Sequence, residues 1–130
     1  MPGWLTFILL IAVSLQVANL CTTVYLHRTL SPRAMRLHPI VEMAMRWVLW
    51  LTTTIERRQW VAVHRKHHAF SDREGDPHSP HVEGFWNIQL LGFYYYIREA
   101  RNAETVEKYT RDILPDFLDR LSRFTWLPVL

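Results

Sequence analysis

The chain has 130 residues, the length of one ordinary domain, and combines a formal net charge of +3 with 49% hydrophobic residues. Its single cysteine, Cys21, excludes an internal disulfide and lies in an apolar run, which favours a packing role over a reactive thiol. The basic residues directly follow apolar segments, which favours a membrane protein over a soluble nucleic-acid binder.

Residues 1–26 carry no charged side chain. The stretch from Trp4 to Leu26 would form a helix about 34 Å long, enough to cross a hydrocarbon core of about 30 Å. A secretory signal peptide fits less well, because no basic segment precedes the run and no small-residue cleavage site ends it. We therefore predict a transmembrane helix over residues 4–26. Its C-terminal end is expected on the cytoplasmic side, because Arg28 and Arg33 follow it.

Residues 40–55 are also apolar, but they include Glu42 and Arg46. A helix of this length would reach only about 24 Å, which is too short for a comfortable crossing. We predict an interfacial or re-entrant helix, or one packed against the first helix. If this helix does not cross the membrane, His27 and His64 lie on the same side and could share one site.

Three histidines, His64, His67 and His68, follow at relative positions 0, 3 and 4. On a helix, predicted here from Glu56 to Ala69, this spacing places all three rings on one face. Converging imidazoles are common transition-metal ligands, so we predict a metal site. The alternative is a set of surface or hydrogen-bonded histidines. That alternative is also the more frequent one for a lone histidine such as His27.

A polar loop, residues 71–81, comes next and contains Asp72, Glu74 and Asp76. These carboxylates could accept hydrogen bonds from the ring nitrogens that do not bind the metal, an arrangement common around metal-binding histidines. The alternative is a solvated loop without such contacts.

Residues 83–124 are predicted to form interfacial and cytoplasmic helices. Residues 83–100 are rich in aromatic side chains and should lie at the membrane interface or line an apolar cleft. Residues 103–114 and 116–124 should be charged amphipathic helices, interrupted at Pro115. The last residues, 124–130, turn apolar and are expected to begin another membrane segment. The predicted fold class is thus all-α, a single integral membrane domain over residues 1–130.

The motifs also resemble those of a known family. Residues 64–72 (HRKHHAFSD) and 75–81 (GDPHSPH) resemble the second histidine box and the following Asp-Pro-His segment of the membrane acyl-CoA (fatty acid) desaturases. Residues 25–31 (YLHRTLS) are similar to the start of that family's first box. The resemblance covers essentially the whole chain, which matches the N-terminal part of bacterial members.

The resemblance implies a multi-pass membrane oxidoreductase whose histidine boxes lie on the cytoplasmic side. Such enzymes hold a di-iron centre and use dioxygen to insert a double bond into an acyl-CoA or other acyl-lipid substrate. Their two electrons come from a ferredoxin-, rubredoxin- or cytochrome b5-type donor. The chemistry suits a metal cofactor, because an unactivated methylene has no acidic proton for a side chain to remove.

Carried over to this sequence, the family's metal ligands would be His27, His64, His67 and His68. Positive charge also suggests that Arg65 and Lys66, with nearby Arg57 and Arg58, attract the phosphates of coenzyme A. Trp60 is a further, weak candidate for substrate contact. The alternative for the basic residues is a face turned to solvent or to lipid headgroups.

The sequence departs from the family pattern in two ways. Pro32 stands where the first box would place a second histidine, and we do not expect His38 to replace it. The third box is absent, and the chain holds only seven histidines. We therefore expect a partial desaturase domain that is inactive by itself. A hydroxylase of the same superfamily and a non-catalytic metal-binding membrane fragment remain as alternatives.

Overall fold

The protein is described here from a computed structural model, which covers residues 2–123. Those residues form helices and loops, without a β-strand, so the predicted all-α class is confirmed. The α-helices are α1 (Gly3–Cys21), α2 (Pro39–Thr53), α3 (Arg57–Phe70), α4 (Pro80–Glu83), α5 (Phe85–Ala100), α6 (Ala103–Tyr109) and α7 (Phe117–Arg123), and a π-helix (Thr22–Leu30) follows α1.

The helices group into two compact units. Of the described residues, the first unit comprises 2–55 and 121–123, and the second comprises Glu56–Arg120. The assignment of residues 1–130 to a single domain stays a prediction.

In the first unit, α1 and the π-helix form one continuous helical segment, Gly3–Leu30, of 28 residues, in which an 18-residue stretch has a mean hydropathy of 2.0. It is long and apolar enough to cross a membrane. Large apolar side chains such as Phe7, Leu10 and Leu15 are each 64% exposed in the chain alone. Exposure of so much contiguous apolar surface to water is unfavourable, by about 25 cal/mol per Å², which favours a lipid environment.

The π-helix is stabilised by hydrogen bonds that span five residues. Thr29 Oγ1 donates to the carbonyl of Val24 at 2.8 Å, and the backbone N–H of Ser31 donates to that of Leu26 at 3.1 Å. The Ser31 hydroxyl donates to the same carbonyl at 3.1 Å. This wider turn replaces the ordinary α-helical pattern and ends just before Pro32, which has no N–H to continue it.

Helix α2 packs against α1 and contacts the π-helix. At its start, Nδ1 of His38 accepts a hydrogen bond from the backbone N–H of Ile40 at 3.3 Å, so His38 caps the helix. Pro39 occupies the first turn, where its fixed φ suits a helix start. The helix ends at Thr54, which adopts the left-handed conformation with φ 53°. The helix Pro39–Thr53 lies close to the predicted bounds of residues 40–55, and its interfacial or re-entrant position stays a prediction.

The second unit is built around α3, which packs against α5 and α6. Its buried face consists of Val61, Ala62 and Val63, which are at most 2% exposed. Tyr95 and Ala100 of α5 are buried in the same unit. The observed bounds of α3 differ by one residue at each end from the predicted Glu56–Ala69.

The C-terminal helices are shorter than predicted. The helix expected over residues 103–114 ends at Tyr109, because the backbone of Thr110 leaves the helical conformation with φ −128°. The helix expected over residues 116–124 is observed as Phe117–Arg123. The apolar end, residues 124–130, which was expected to begin another membrane segment, lies outside the described residues.

Candidate metal centre

Two of the predicted ligands, His64 and His68, face each other one turn apart on α3. Their ring centroids are 4.5 Å apart, and their Nε2 atoms are 3.1 Å apart. Adjacent donor atoms around a metal with bonds of about 2.1 Å are themselves about 3 Å apart, so this pair is spaced to bind one ion. Trp60 stacks on the other side of His64, with centroids 4.6 Å apart and planes 20° apart.

The third predicted ligand, His67, is held by Asp76. Its Nδ1 lies 2.9 Å from both carboxylate oxygens of Asp76. An ionised carboxylate can only accept hydrogen bonds, so Nδ1 is the donor in this contact. The structure thus confirms that a carboxylate of the 71–81 loop supports a histidine of α3. Asp72 instead accepts a hydrogen bond from the Ser79 hydroxyl at 2.6 Å, and Glu74 is exposed.

Asp76 is only 3% exposed and is fixed by its own backbone neighbours. Its carboxylate also accepts hydrogen bonds from the N–H groups of Asp72, at 2.9 Å, and His78, at 3.1 Å. Burial by itself raises the pKa of Asp76, but the hydrogen bonds from His67 and from these two N–H groups outweigh it, so the pKa is lower than usual. The carboxylate is therefore ionised when it contacts His67.

The loop reaches this geometry through two residues with positive φ, Asp72 at 60° and Gly75 at 99°. Gly75 also lies against the ring of Phe70. A Cβ at position 75 would be 3.0 Å from Cδ1 of that ring. Both the conformation and the close approach favour glycine there, and together they direct Asp76 back toward α3.

His78 is a site residue that the sequence analysis missed. Its ring stacks on His67, with centroids 4.6 Å apart, and its Nδ1 is buried without a hydrogen-bond partner among the described residues. Burial lowers the pKa of His78, which favours the neutral ring. Among residues 2–123, His67, Asp76 and His78 form a group whose ligand atoms all lie within 4.8 Å of one another. The signal in the sequence was a histidine two residues after the loop's buried aspartate.

The remaining predicted ligand, His27, lies in the first unit, near the end of the π-helix, and is exposed. Its sharing of a site with the histidines of α3 stays a prediction. His38 is occupied as the N-cap of α2.

The basic residues of α3 that were predicted to attract phosphate form ion pairs within the second unit. Arg65 makes two contacts with the carboxylate of Asp112, at 2.6 and 2.9 Å, and donates to the carbonyl of Tyr109 at 2.7 Å. Lys66 Nζ lies 2.7 Å from Oε1 of Glu99. A phosphate would have to compete with these carboxylates, and the coenzyme A role of Arg65 and Lys66 stays a prediction, as does the substrate contact of Trp60.

Arg57 anchors the start of α3. Its guanidinium makes a bidentate contact with Asp119, at 2.9 and 2.8 Å, and also pairs with Asp116 at 3.1 Å. The Asp119 side chain is only 2% exposed. The ion pairs therefore fix α3, which bears the three histidines, to α5, to the segment after α6 and to the start of α7.

Comparison with known proteins identifies relatives among plant desaturases. The Delta-9 acyl-lipid desaturase 2 of Arabidopsis thaliana is 32% identical over 124 residues, which is 93% of this chain and 38% of the relative. The Delta-9 desaturase-like 2 protein of the same plant is 39% identical over 85 residues, 64% of this chain and 28% of that protein. An acyl-CoA 5-desaturase of Anemone leveillei is 31% identical over 102 residues, 76% of this chain and 32% of that protein.

The chain thus spans about a third of the length of these relatives. No protein-family model matches it, and no solved structure matches it significantly. The relatives nevertheless cover the segments that carry the histidine motifs, and the all-helical fold with an apolar first helix agrees with membrane association. These observations show that the chain belongs to the family of the membrane acyl-lipid and acyl-CoA desaturases, which are oxidoreductases.

Proposed function

We propose that the chain provides part of the active site of an oxygen-dependent fatty acid desaturase, with His27, His64, His67 and His68 as ligands of a di-iron centre. The observation that carries this proposal is the pair of Nε2 atoms, 3.1 Å apart, on the helix that also presents a carboxylate-supported His67. The 3.1 Å separation is that of a hydrogen bond between the two rings as well as that of two ligands of one ion. A solvated row of histidines would not need the buried carboxylate that holds His67.

The residues fit iron by their chemistry. Imidazole is a suitable donor for iron, and His64 and His68 present two such nitrogens at ligand spacing. The neutral state of His78 and the ionised state of Asp76 match a site for a cation. When bound, the iron would supply the oxidising power needed to remove hydrogen from an unactivated methylene, with dioxygen as oxidant.

The chain's own residues would bind and orient the cofactor. His64 and His68 would hold it from one helix face, and Trp60, stacked on His64, restricts rotation of that ring. The ion pairs of Arg57 and Lys66 keep α3 in place while the ligands are engaged. Metal-binding side chains need neighbouring contacts, such as this stacking and these ion pairs, to keep them in the geometry that the metal requires.

The proposed substrate is the acyl chain of an acyl-CoA or of a membrane lipid. The support is twofold: the names of the relatives, and the apolar helix Gly3–Leu30, which would place the chain where acyl chains are found. The electrons would come from a ferredoxin-, rubredoxin- or cytochrome b5-type donor, and the histidine boxes would face the cytoplasm. By itself, this polypeptide should be inactive, because seven histidines fall short of the ligands of a complete di-iron site in the family.

Metal binding is the first test. The full chain in detergent micelles should bind Fe²⁺ under anaerobic conditions, and His64→Ala or His68→Ala should weaken binding at least tenfold. His81→Ala is the matched control, since His81 is an exposed histidine of the neighbouring α4, and it should bind like the unmodified chain. Equal binding by all four proteins would contradict the proposal.

Activity is the second test. The purified chain supplied with an acyl-CoA, dioxygen and a reduced ferredoxin should give no unsaturated product by gas chromatography and mass spectrometry. A chimera in which this chain replaces the aligned segment of the Arabidopsis Delta-9 acyl-lipid desaturase 2 should restore unsaturated fatty acids to a yeast that lacks its own desaturase. His64→Ala should abolish that activity, and Pro32→His should raise it. Failure of a membrane-inserted chimera and of its Pro32→His form would contradict the assignment.

A further inference from the structure

Asp76 is the most constrained polar group near the histidines of α3. Its carboxylate is buried and receives three separate donors, Nδ1 of His67 and the backbone N–H groups of Asp72 and His78. The two backbone donors fix the carboxylate relative to the loop, so the third contact fixes His67 relative to the carboxylate. A buried carboxylate with these partners cannot rotate away from the ring without leaving them unsatisfied.

This contact determines the chemistry of the ring. An imidazole donates from one nitrogen and coordinates from the other, and the hydrogen bond of one nitrogen decides the role of the other. With the proton on Nδ1 directed at Asp76, only Nε2 carries a lone pair. Stacking of His78 on one face of His67, at 4.6 Å, further limits the ring to this orientation.

We propose that Asp76 is a positioning residue, which locks His67 in the Nδ1–H form so that Nε2 is its metal-binding atom. This inference rests on the proposed function. It also decides between two uses of the same ring, because Nδ1 cannot both donate to Asp76 and bind a metal held between His67, Asp76 and His78. The carboxylate acts through His67 and is not itself a ligand.

The tautomer is tested without any metal. In the full chain, labelled with ¹⁵N-histidine and held in micelles at one slightly alkaline pH, long-range ¹H–¹⁵N correlation should show His67 protonated at Nδ1. Asp76→Ala should abolish that preference. Glu74→Ala is the matched control, because Glu74 is an exposed carboxylate of the same loop, and it should leave His67 unchanged. Protonation of His67 at Nε2 in the unmodified chain would overturn the proposal.

Metal affinity is tested on the same proteins with Co²⁺, followed by its visible absorption. Asp76→Ala should weaken binding by about 10- to 100-fold, the usual effect of removing a partner of a metal-binding histidine. Asp76→Asn keeps the size and one acceptor oxygen, so it should fold even where the alanine variant does not and should show a smaller loss. A purely structural role would lower the melting temperature without moving the tautomer.

Three other outcomes are informative. Unchanged Co²⁺ affinity in both Asp76 variants would overturn the positioning role while leaving the histidines as ligands. A metal-induced shift at Nδ1 of His67, in place of Nε2, would overturn it in favour of a His67–Asp76–His78 ligand set. If the Nδ1–H form is found but the unmodified chain binds no Co²⁺, the metal site itself is wrong, and the positioning role fails with it.

Discussion

The two units hold their histidine-bearing helices in different ways. In the first unit, the segment Gly3–Leu30 exposes most of its apolar side chains, and the hydroxyls of Ser14 and Thr29 donate to carbonyls three and five residues earlier in the same segment. In the second unit, α3 is fixed by ion pairs to carboxylates 33 to 62 residues away. The first helix is therefore held by packing against α2 and by its apolar surface in lipid, whereas α3 is also held by ion pairs with residues distant in the sequence.

The difference extends to the histidines themselves. His27 is exposed near the end of its helix, whereas His67 is fixed by a buried aspartate. A single polar substitution should therefore disturb the second unit far more than the first.

Asp119→Ala should have the largest effect. It removes the buried partner of Arg57 and leaves a guanidinium that is only 15% exposed without its bidentate contact. Breaking one side of such a pair typically reduces the free energy of unfolding by about 3 to 5 kcal/mol. Amide hydrogen exchange of α3 in micelles should report the loss. Asp116→Ala, which removes a partner that is 43% exposed, should have a smaller effect, and equal effects would contradict the assignment of Asp119 as the main anchor.

Gly75→Ala should disturb the loop that carries Asp76. The new Cβ would require a positive φ of 99° and would contact the Phe70 ring at 3.0 Å, which should cost about 1 to 3 kcal/mol. Gly92→Ala in α5 is the control, because nothing lies within 4 Å of its Cβ position, and it should stabilise the helix by about 0.5 to 1 kcal/mol. Thermal unfolding followed by circular dichroism measures both, and a stabilising Gly75→Ala would refute the loop geometry.

Acidification should loosen the contact of α3 with α5 through Glu99. Burial by itself raises the pKa of Glu99, but hydrogen bonds from Lys66 and Thr105 outweigh it, so the pKa is lower than usual. The ionised Glu99 therefore contributes its full stabilisation of the fold at pH values above its pKa in the unfolded chain, about 4.3. This stabilisation is lost as the pH falls through the lower pKa that Glu99 has in the folded chain. Hydrogen exchange of α5 across this range should show the loss, and Glu99→Gln should remove it. Glu104→Gln, which changes an exposed residue, should leave this pH dependence in place. If Glu99→Gln shows the same pH dependence of hydrogen exchange as the unmodified chain, the Lys66–Glu99 ion pair is not its cause.

Thr29→Val should have the smallest effect. It removes the hydrogen bond from Thr29 Oγ1 to the carbonyl of Val24 while keeping the size of the side chain, which should cost about 0.5 to 1.5 kcal/mol. The change should stay within the π-helix, and hydrogen exchange of α3 should not respond. A loss as large as that of Asp119→Ala would erase the contrast between the units.

The sequence predicts most of the helices and the face of α3 that bears the three histidines. The spacing of His64, His67 and His68 is a property of one helix, so helical periodicity alone places the rings together. The absence of charged side chains from residues 1–26 likewise predicts the apolar first helix. The resemblance of the histidine motifs to desaturases is supported by the relatives.

The rest depended on contacts that no local pattern encodes. The sequence does not distinguish the three carboxylates of the loop as partners of a histidine. Asp76 contacts His67 because the backbone turns at Asp72 and Gly75, both of which have positive φ. The phosphate-binding role of the basic residues of α3 stays a prediction. Their ion pairs with carboxylates could not be predicted, because partners such as Asp119 lie far along the chain. The π-helix was missed because its five-residue hydrogen bonds use the same residue types that suit an α-helix.

The stacking of Trp60 on His64 gives this protein an intrinsic optical probe. An indole in contact with an imidazole, 4.6 Å between centroids, will change its emission when that imidazole coordinates a paramagnetic ion. The chain has six tryptophans, and a Trp60→Phe variant supplies the background to subtract from the other five. Occupancy of the site can therefore be followed by fluorescence of the purified chain in lipid vesicles, without an attached dye.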